Sequence, residues 1–470
     1  MKVMKFKLTH RPVNGLWTIL GSLKRRWRLV QPAFVRFLFL VLIAISLRFD
    51  VMPRTDREAG LDQLLSGKLF DFTAWWIDAA GEKLSFELIT PQRNMTEAEQ
   101  VQFVRAYVNG VRQFYRLENR IATVYTDPAV SDPLIASSAL RQERDTWRSW
   151  LDARQNLVEA IIQEQVESVL RDEGFALGGQ VMPPVRFRFT QLPDVLIISR
   201  RDKIERIDQR TLRLGLTVDQ FDSMEQAVDQ RFDVSSIVEP IGGLGSYPTM
   251  LGESSALDWV TRVVAHEWTH NYLLSSYVGL NYGSDPTARI INETTAQLVE
   301  EDIGPRVMRR FYPDLAGLDA DPGQEGAIGE VGAVTQAGAQ TCCLTALLLP
   351  GPATASTDFD FNIEMRETRL TADDLLAQGK IEQAEAYMEA RRALFVDNGY
   401  AIRKLNQAYF AFHGAYNSQP GGSPTAGRDP IGPAVQALRA RSASIGDFMR
   451  AIARVRSLED VKKADLKTLP

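Results

Sequence analysis

Cysteine is nearly absent. The 470 residues contain two, adjacent at Cys342 and Cys343, which excludes a disulfide-stapled scaffold and any cysteine-based zinc cluster. Histidine is almost as scarce, with four in the chain, so a constellation that uses two of them is informative. The body also lacks a basic patch. Lys2, Lys5, Lys7, Arg11, Lys24, Arg25, Arg26 and Arg28 put +8 into residues 1–28, so the remainder carries −13 for the total to be −5. An acidic body without a basic face excludes nucleic acid as the main partner. Long apolar runs are missing outside one near the amino terminus; Leu344–Leu349 stops at Pro350. The rest is ordinary globular composition, with 45% hydrophobic and 24% charged residues.

The one long apolar run is Phe37–Leu47, bracketed by Arg36 and Arg48 and preceded by the eight unopposed cations. A secretory core segment needs about 7–15 apolar residues and a membrane span about 20, and arginines at the ends can snorkel to the headgroups. We therefore expect a basic cytoplasmic segment over 1–28 and an uncleaved signal-anchor over 29–49. The positive-inside rule then puts the chain from about residue 50 onward outside the membrane. Ala44 and Ser46 form a weak cleavage pattern; cleavage there would make the body a secreted protein.

Residues 55–180 read as a helical N-terminal region. Thr96-Glu-Ala-Glu99 is a capping box opening a helix to about Val124, and a second helix is expected from about Ser138 to Glu173. Its apolar positions Leu140, Trp147, Leu151, Val158, Ile162, Val166 and Leu170 form one buried stripe. Alternation at Val185, Phe187 and Phe189, the run Val195–Ile198, and alternation again at Leu212, Leu214 and Leu216 predict strands of a small, mostly antiparallel sheet. Thr217 and Gln220 form a second capping box, and a strand starting at Ser236 enters the Gly-rich stretch Gly242–Tyr247. Residues 316–358 read as a Gly/Ala/Pro-rich loop or insertion, and 359–470 as a helical C-terminal lobe, with a helical hairpin turning near Gly379. The fold class is α+β, predominantly helical.

The chemistry resides in Val263-Val-Ala-His-Glu-Trp-Thr-His270. His266 and His270 are one helical turn apart, so both imidazoles project from one face and can reach a single zinc ion. Glu267 falls beside them, placed to take a proton from water rather than to bind the metal. A catalytic zinc needs a third protein ligand. Glu293 lies 23 positions after His270 on a helical stretch closed by Gly304-Pro305, and the intervening Gly and Pro residues supply the turn that returns it.

His266-Glu267-x-x-His270 followed by Asn292-Glu293 resembles the gluzincin metallopeptidases, the group containing thermolysin and the zinc aminopeptidases. The likeness covers about forty residues and implies a zincin-like core over 181–315 that binds one zinc ion. By it, His266, His270 and Glu293 match the ligands and Glu267 the general base. Asn292 matches an asparagine that supports a ligand histidine, and Gln297 stands where thermolysin has an acidic residue supporting the site. The resemblance further implies a later Tyr or His at the oxyanion, for which the stretch Asn406–Tyr416 offers His413 and Tyr416. It also implies an edge strand that pairs with substrate, for which Gly243, Leu244 and Gly245 are candidates. The expected function is a membrane-anchored zinc metallopeptidase acting on peptide or protein substrates, with aminopeptidase and endopeptidase action both open. The alternatives are a catalytically inactive surface interaction protein on the same scaffold, or hydrolysis of a non-peptide bond.

Overall fold

The structure is a computed structural model that describes residues 55–464, apart from 88–90, 127–128, 178, 316–358, 416–424, 427 and 429. The expected basic segment and signal-anchor, the Gly/Ala/Pro-rich stretch with its two cysteines, and Tyr416 lie outside the described residues. Among the described residues no helix is long and apolar enough to cross a membrane. The chain divides into two units, residues 1–63 and 64–470. The first contributes most of helix α1 (Asp56–Leu64), opened by Thr55, whose amide donates to Glu58 at 2.7 Å while Glu58 N–H donates to the Thr55 hydroxyl at 3.2 Å.

The second unit is mostly helical, with two three-stranded sheets and a two-stranded one. It begins with α2 (Phe72–Glu87), α3 (Glu97–Thr126), α4 (Pro133–Ala136), α5 (Ser138–Asp152) and α6 (Gln155–Asp172). Thr96 and Glu99 close the reciprocal bonds of the expected capping box ahead of α3. The helix expected over 138–173 is two helices, broken at Ala153–Arg154. The break lets α5 lie along α3 while α6 turns Val158, Ile162, Val166 and Leu170 into the main core. A straight rod cannot face both partners.

The sheets follow: β1 (Ala176–Leu177), β2 (Gln180–Val181), β3 (Phe187–Phe189), β4 (Asp194–Arg200), β5 (Arg206–Thr211), then α7 (Val218–Phe232), β6 (Val234–Pro240), β7 (Gly243–Leu244) and β8 (Thr249–Leu251). One sheet, ordered β5-β4-β6, is antiparallel; the other, β3-β8-β7, pairs β3 with β8 in parallel and β8 with β7 antiparallel. The pairing is thus mostly antiparallel, as expected, with β3–β8 the one parallel pair among the described residues. No strand covers Leu212–Leu216, because Gly215 adopts φ +77° in a turn and pairing stops at an isolated Leu212 bridge. The neighbouring strand is instead β5, Arg-Ile-Asp-Gln-Arg-Thr, whose polar pattern suits a sheet edge.

Helices α8 (Leu257–Leu273), α9 (Tyr277–Leu280) and α10 (Pro286–Phe311) come next. Leu257, Val260, Val264, Ala265 and Trp268 recur at helical spacing and turn one face of α8 into the core, against Ile291, Val299 and Ile303 of α10. The sequence closes α10 at Gly304-Pro305, yet the helix runs through to Phe311. An internal proline costs about 3 kcal/mol. Burial of Val307, Met308 and Phe311 beyond it offsets that, at about 1.5–3 kcal/mol for each fully buried side chain. The chain ends with α11 (Phe361–Ala377), α12 (Ile381–Asp397), α13 (Gln407–His413), α14 (Ile431–Arg441), α15 (Ile445–Ile452) and α16 (Leu458–Lys463). Helices α14 to α16 share the main core with α6, α8 and α10, whereas α11 to α13 cover Val195, Ile197 and Ile237 of β4 and β6 in a second core.

The short α9 turn sets how α10 returns to α8. A Cβ on Gly279 would stand 2.1 Å from the Leu273 carbonyl oxygen and 2.8 Å from Leu274 Cα, both backbone atoms at the end of α8. Gly279→Ala is expected to lower stability by about 1–3 kcal/mol through this overpacking. A chemical-denaturation midpoint equal to that of the parent would refute the tight approach.

Candidate metal centre

Helix α8 gives the site its first half. With its apolar stripe in the core, the opposite face presents His266, Glu267 and His270, all buried or nearly so, with the two imidazoles edge to face at 4.9 Å. Helix α10 brings Glu293 across from them. One of its carboxylate oxygens, Oε2, lies 3.5 Å from Nε2 of His266 and 3.7 Å from Nε2 of His270. Among the described residues these three are the one His/Cys/Asp/Glu group whose ligand atoms all lie within 4.8 Å of one another.

The donor set fits zinc. Three donors about 2.0–2.2 Å from a tetrahedral ion stand roughly 3.3–3.6 Å apart, and two imidazole nitrogens with one carboxylate are a hydrolytic zinc set. Glu293 Oε2 is buried without a hydrogen-bond partner, and so is Glu267 Oε2. Buried carboxylate oxygens left in this way are costly unless a cation or water satisfies them.

The surrounding groups orient these donors. Nδ1 of His270 lies 2.8 Å from Oδ1 of Asn292, whose amide in turn donates to the Val278 carbonyl at 3.2 Å. Nδ1 of His266 lies 2.8 Å from Oε2 of Glu300. With both Nδ1–H groups donating, the Nε2 lone pairs point inward, as metal ligation requires. Asn292 thus stands where the resemblance puts it. The carboxylate sought at Gln297 is supplied by Glu300, seven residues after Glu293 and on the same face of α10; Gln297 itself is buried nearby in sequence. Glu300→Ala is expected to weaken zinc affinity about 10–100-fold with the fold retained, measured by chelator competition. An unchanged affinity would detach Glu300 from the site.

Tyr282, in the turn between α9 and α10, completes the site although no sequence pattern marks it. Its hydroxyl donates to Oε1 of Glu293, leaving Oε2 for the metal, and its ring stands edge-on to His270 at 5.9 Å. Arg289 holds the loop that carries it, donating to the Tyr282 carbonyl at 3.1 Å and the Gly283 carbonyl at 3.3 Å. The Arg206 guanidinium lies 5.5 Å from the Tyr282 ring centroid. Burial, then the Glu293 charge, pushes the Tyr282 pKa up, so it stays a donor.

Electrostatics follow from the same packing. Burial disfavours charge on Glu293, but the His270 and His266 rings outweigh it and hold its pKa down at about 2. Burial also opposes charge on His266, yet the carboxylates of Glu293 and Glu300 raise its pKa well above the usual histidine value. Glu267 is raised by burial, which the two histidines only partly counter. A proton must therefore leave His266 before a metal binds. Zinc affinity is expected to climb about tenfold per pH unit above pH ~6.5, up to the raised pKa of His266. A flat affinity from pH 6.5 to 7.5 would contradict this.

Strand β7 passes directly over Glu267. A Cβ on Gly243 would fall 2.4 Å from Glu267 Oε1, and one on Gly245 3.4 Å from His270 Cβ and 3.5 Å from Glu267 Oε2. The glycines make that approach possible. Leu244 pairs with Met250 of β8, and among the described residues the other edge of β7 has no strand partner. His413 has different company: its ring packs 4.3 Å from Tyr409, and its Nε2 lies 3.8 Å from Glu239 on β6. It makes no hydrogen bond, ion pair or ring contact with His266, His270 or Glu293. No protein-family model matches the chain, and no curated protein or solved structure does.

Proposed function

We propose that this protein is a membrane-anchored, zinc-dependent peptidase with a zincin-like core, attached through its N-terminal apolar segment. The observation that carries the reading is the convergence of His266, His270 and Glu293, with buried Glu267 beside them and a glycine-bearing free strand edge above. The ion, when bound, would lower the pKa of water toward neutrality and polarise the scissile carbonyl. The chain's own groups do the remainder. A peptide adding as a strand beside Gly243–Gly245 pairs its main chain with β7 and lies next to Glu267. Glu267 accepts the proton of the attacking water and delivers it to the leaving amine, work suited to a carboxylate whose pKa burial has raised. Asn292, Glu300 and Tyr282 keep the imidazoles and Glu293 in one orientation.

The test is metal analysis and cleavage of a peptide library by the purified full chain. The expected result is about one zinc per molecule, with cleavage abolished by a chelator and restored by zinc. A chain without stoichiometric zinc and without cleavage is the inactive interaction protein instead.

A further inference from the structure

Helix α2 carries an apolar surface that the hydrolytic chemistry does not use. The helix is mounted through residues 78–83: Lys83 is buried in an ion pair with Glu159 of α6, and Arg188 of β3 pairs with Asp78 at 3.6 Å and with Glu82. Its N-terminal half stands in water. Ile77 is 62% exposed and Trp76 44%, and Phe72, one turn before Trp76, and Leu69, just ahead of the helix, are exposed as well. These side chains are held in place while they meet solvent. The Trp76 indole donates to the carbonyl of exposed Tyr247 at 2.8 Å, the Phe72 ring packs 5.7 Å from that of Trp75, and Leu69 bridges to Leu212. A contiguous exposed apolar surface of this kind marks an interaction site.

Position and charge identify the occupant. Residues 48–55 alone separate the apolar run Phe37–Leu47 from α1, and residues 65–71 separate α1 from α2. A chain anchored by that run keeps α2 within reach of one bilayer, at a high effective concentration. Lys68 and Arg213 flank Leu69, joined where the Arg213 amide donates to the Lys68 carbonyl at 2.7 Å, and neither makes an ion pair among the described residues. The acids of α2 are engaged elsewhere. Asp71 accepts from the Ala74 amide at 3.0 Å as the helix cap, and Asp78 and Glu82 face Arg188. Aromatic and aliphatic surface beside unpaired cations suits the headgroup boundary, where the rings enter and the cations meet phosphates. We infer that the N-terminal half of α2, with Leu69 and Tyr247 beside it, docks on the surface of the membrane in which the chain is anchored. This rests on the membrane-anchored reading, and it adds a second contact that holds the catalytic unit against the bilayer.

The experiment uses the full chain in phosphatidylcholine–phosphatidylserine vesicles, with Cys342 and Cys343 changed to Ser so that a single introduced cysteine carries a fluorophore. Ile77→Cys puts the label on α2; Ile363→Cys puts it on α11, at a position 64% exposed, as the control. A spin-labelled lipid is expected to quench the label at residue 77 at least ~3-fold more than the label at residue 363, since an interfacial helix sits about 5–10 Å into the headgroup boundary. Phe72→Ser should bring the quenching at residue 77 down toward that at residue 363, with zinc content and thermal midpoint at the parent level. Lys68→Gln with Arg213→Gln, which leaves the apolar surface intact, should lower it too, so the test stands even where Phe72→Ser fails to fold. Quenching at residue 77 no stronger than at residue 363, in a chain that resists extraction by alkaline carbonate, overturns the docking alone. Energy transfer between the residue-77 labels of two copies, without lipid quenching, assigns the face to self-association and also overturns it. A chain that alkaline carbonate strips from the vesicles overturns the anchored reading, and the docking with it.

Discussion

Replacing Glu267 by Gln is expected to lower kcat/KM at least ~100-fold while the protein keeps its zinc, the effect of removing a general base. The side chains are nearly isosteric, so the close fit beneath Gly243, where a Cβ would stand 2.4 Å from Oε1, remains. What disappears is a carboxylate oxygen that is buried without a hydrogen-bond partner and lies outside the His266, His270 and Glu293 group. The same change should leave the thermal midpoint level or slightly higher. Burial raises the pKa of Glu267, so its ionised form is disfavoured in the fold, and a neutral amide relieves that penalty near pH 7. Parent-like activity in the variant would remove the mechanism; loss of zinc would move Glu267 into the ligand set.

Glu293→Ala should be the most damaging change for metal retention. Loss of an outer partner costs about 10–100-fold in affinity, and loss of a direct ligand should exceed that. The substitution also withdraws the charge that lies 3.5 Å and 3.7 Å from the two imidazoles, and strips the buried Tyr282 hydroxyl of its acceptor. An unsatisfied buried hydroxyl costs about 1–3 kcal/mol, so the metal-free variant should also denature earlier than the metal-free parent. Metal content after dialysis equal to that of the parent would mean that a different residue is the third ligand.

The cluster of His266, His270 and Glu293 was legible because its information is local. His266 and His270 are one turn apart on a helix, and a Gly/Pro-rich turn then Asn292-Glu293 on a second helix announce a return. The capping boxes at Thr96 and Thr217 were legible for the same reason, since each is complete within four residues. Failures occurred where a neighbour distant in sequence decided the outcome. Strand β5 is polar and reads as loop until β4 is beside it, and α10 continues past Pro305 because the core receives its far end. Glu300 had a signal that went unused, its seven-residue spacing from Glu293 on one helix face. Tyr282 had almost none. It sits in an irregular turn, and only the clamp from Arg289 aims it at Glu293.

The amino-acid order by itself determined the α+β class, the two helices that carry the His, His and Glu side chains, and the charge asymmetry of the chain, because periodicity, capping and spacing act over a few residues. Only the tertiary structure decided which carboxylate steadies His266, which hydroxyl holds Glu293, and that Gly243 lies against Glu267. Those contacts join segments that only the packing of α8 against α10 and the β7–β8 pairing bring together, and such packing is a property of the whole core rather than of any stretch within it.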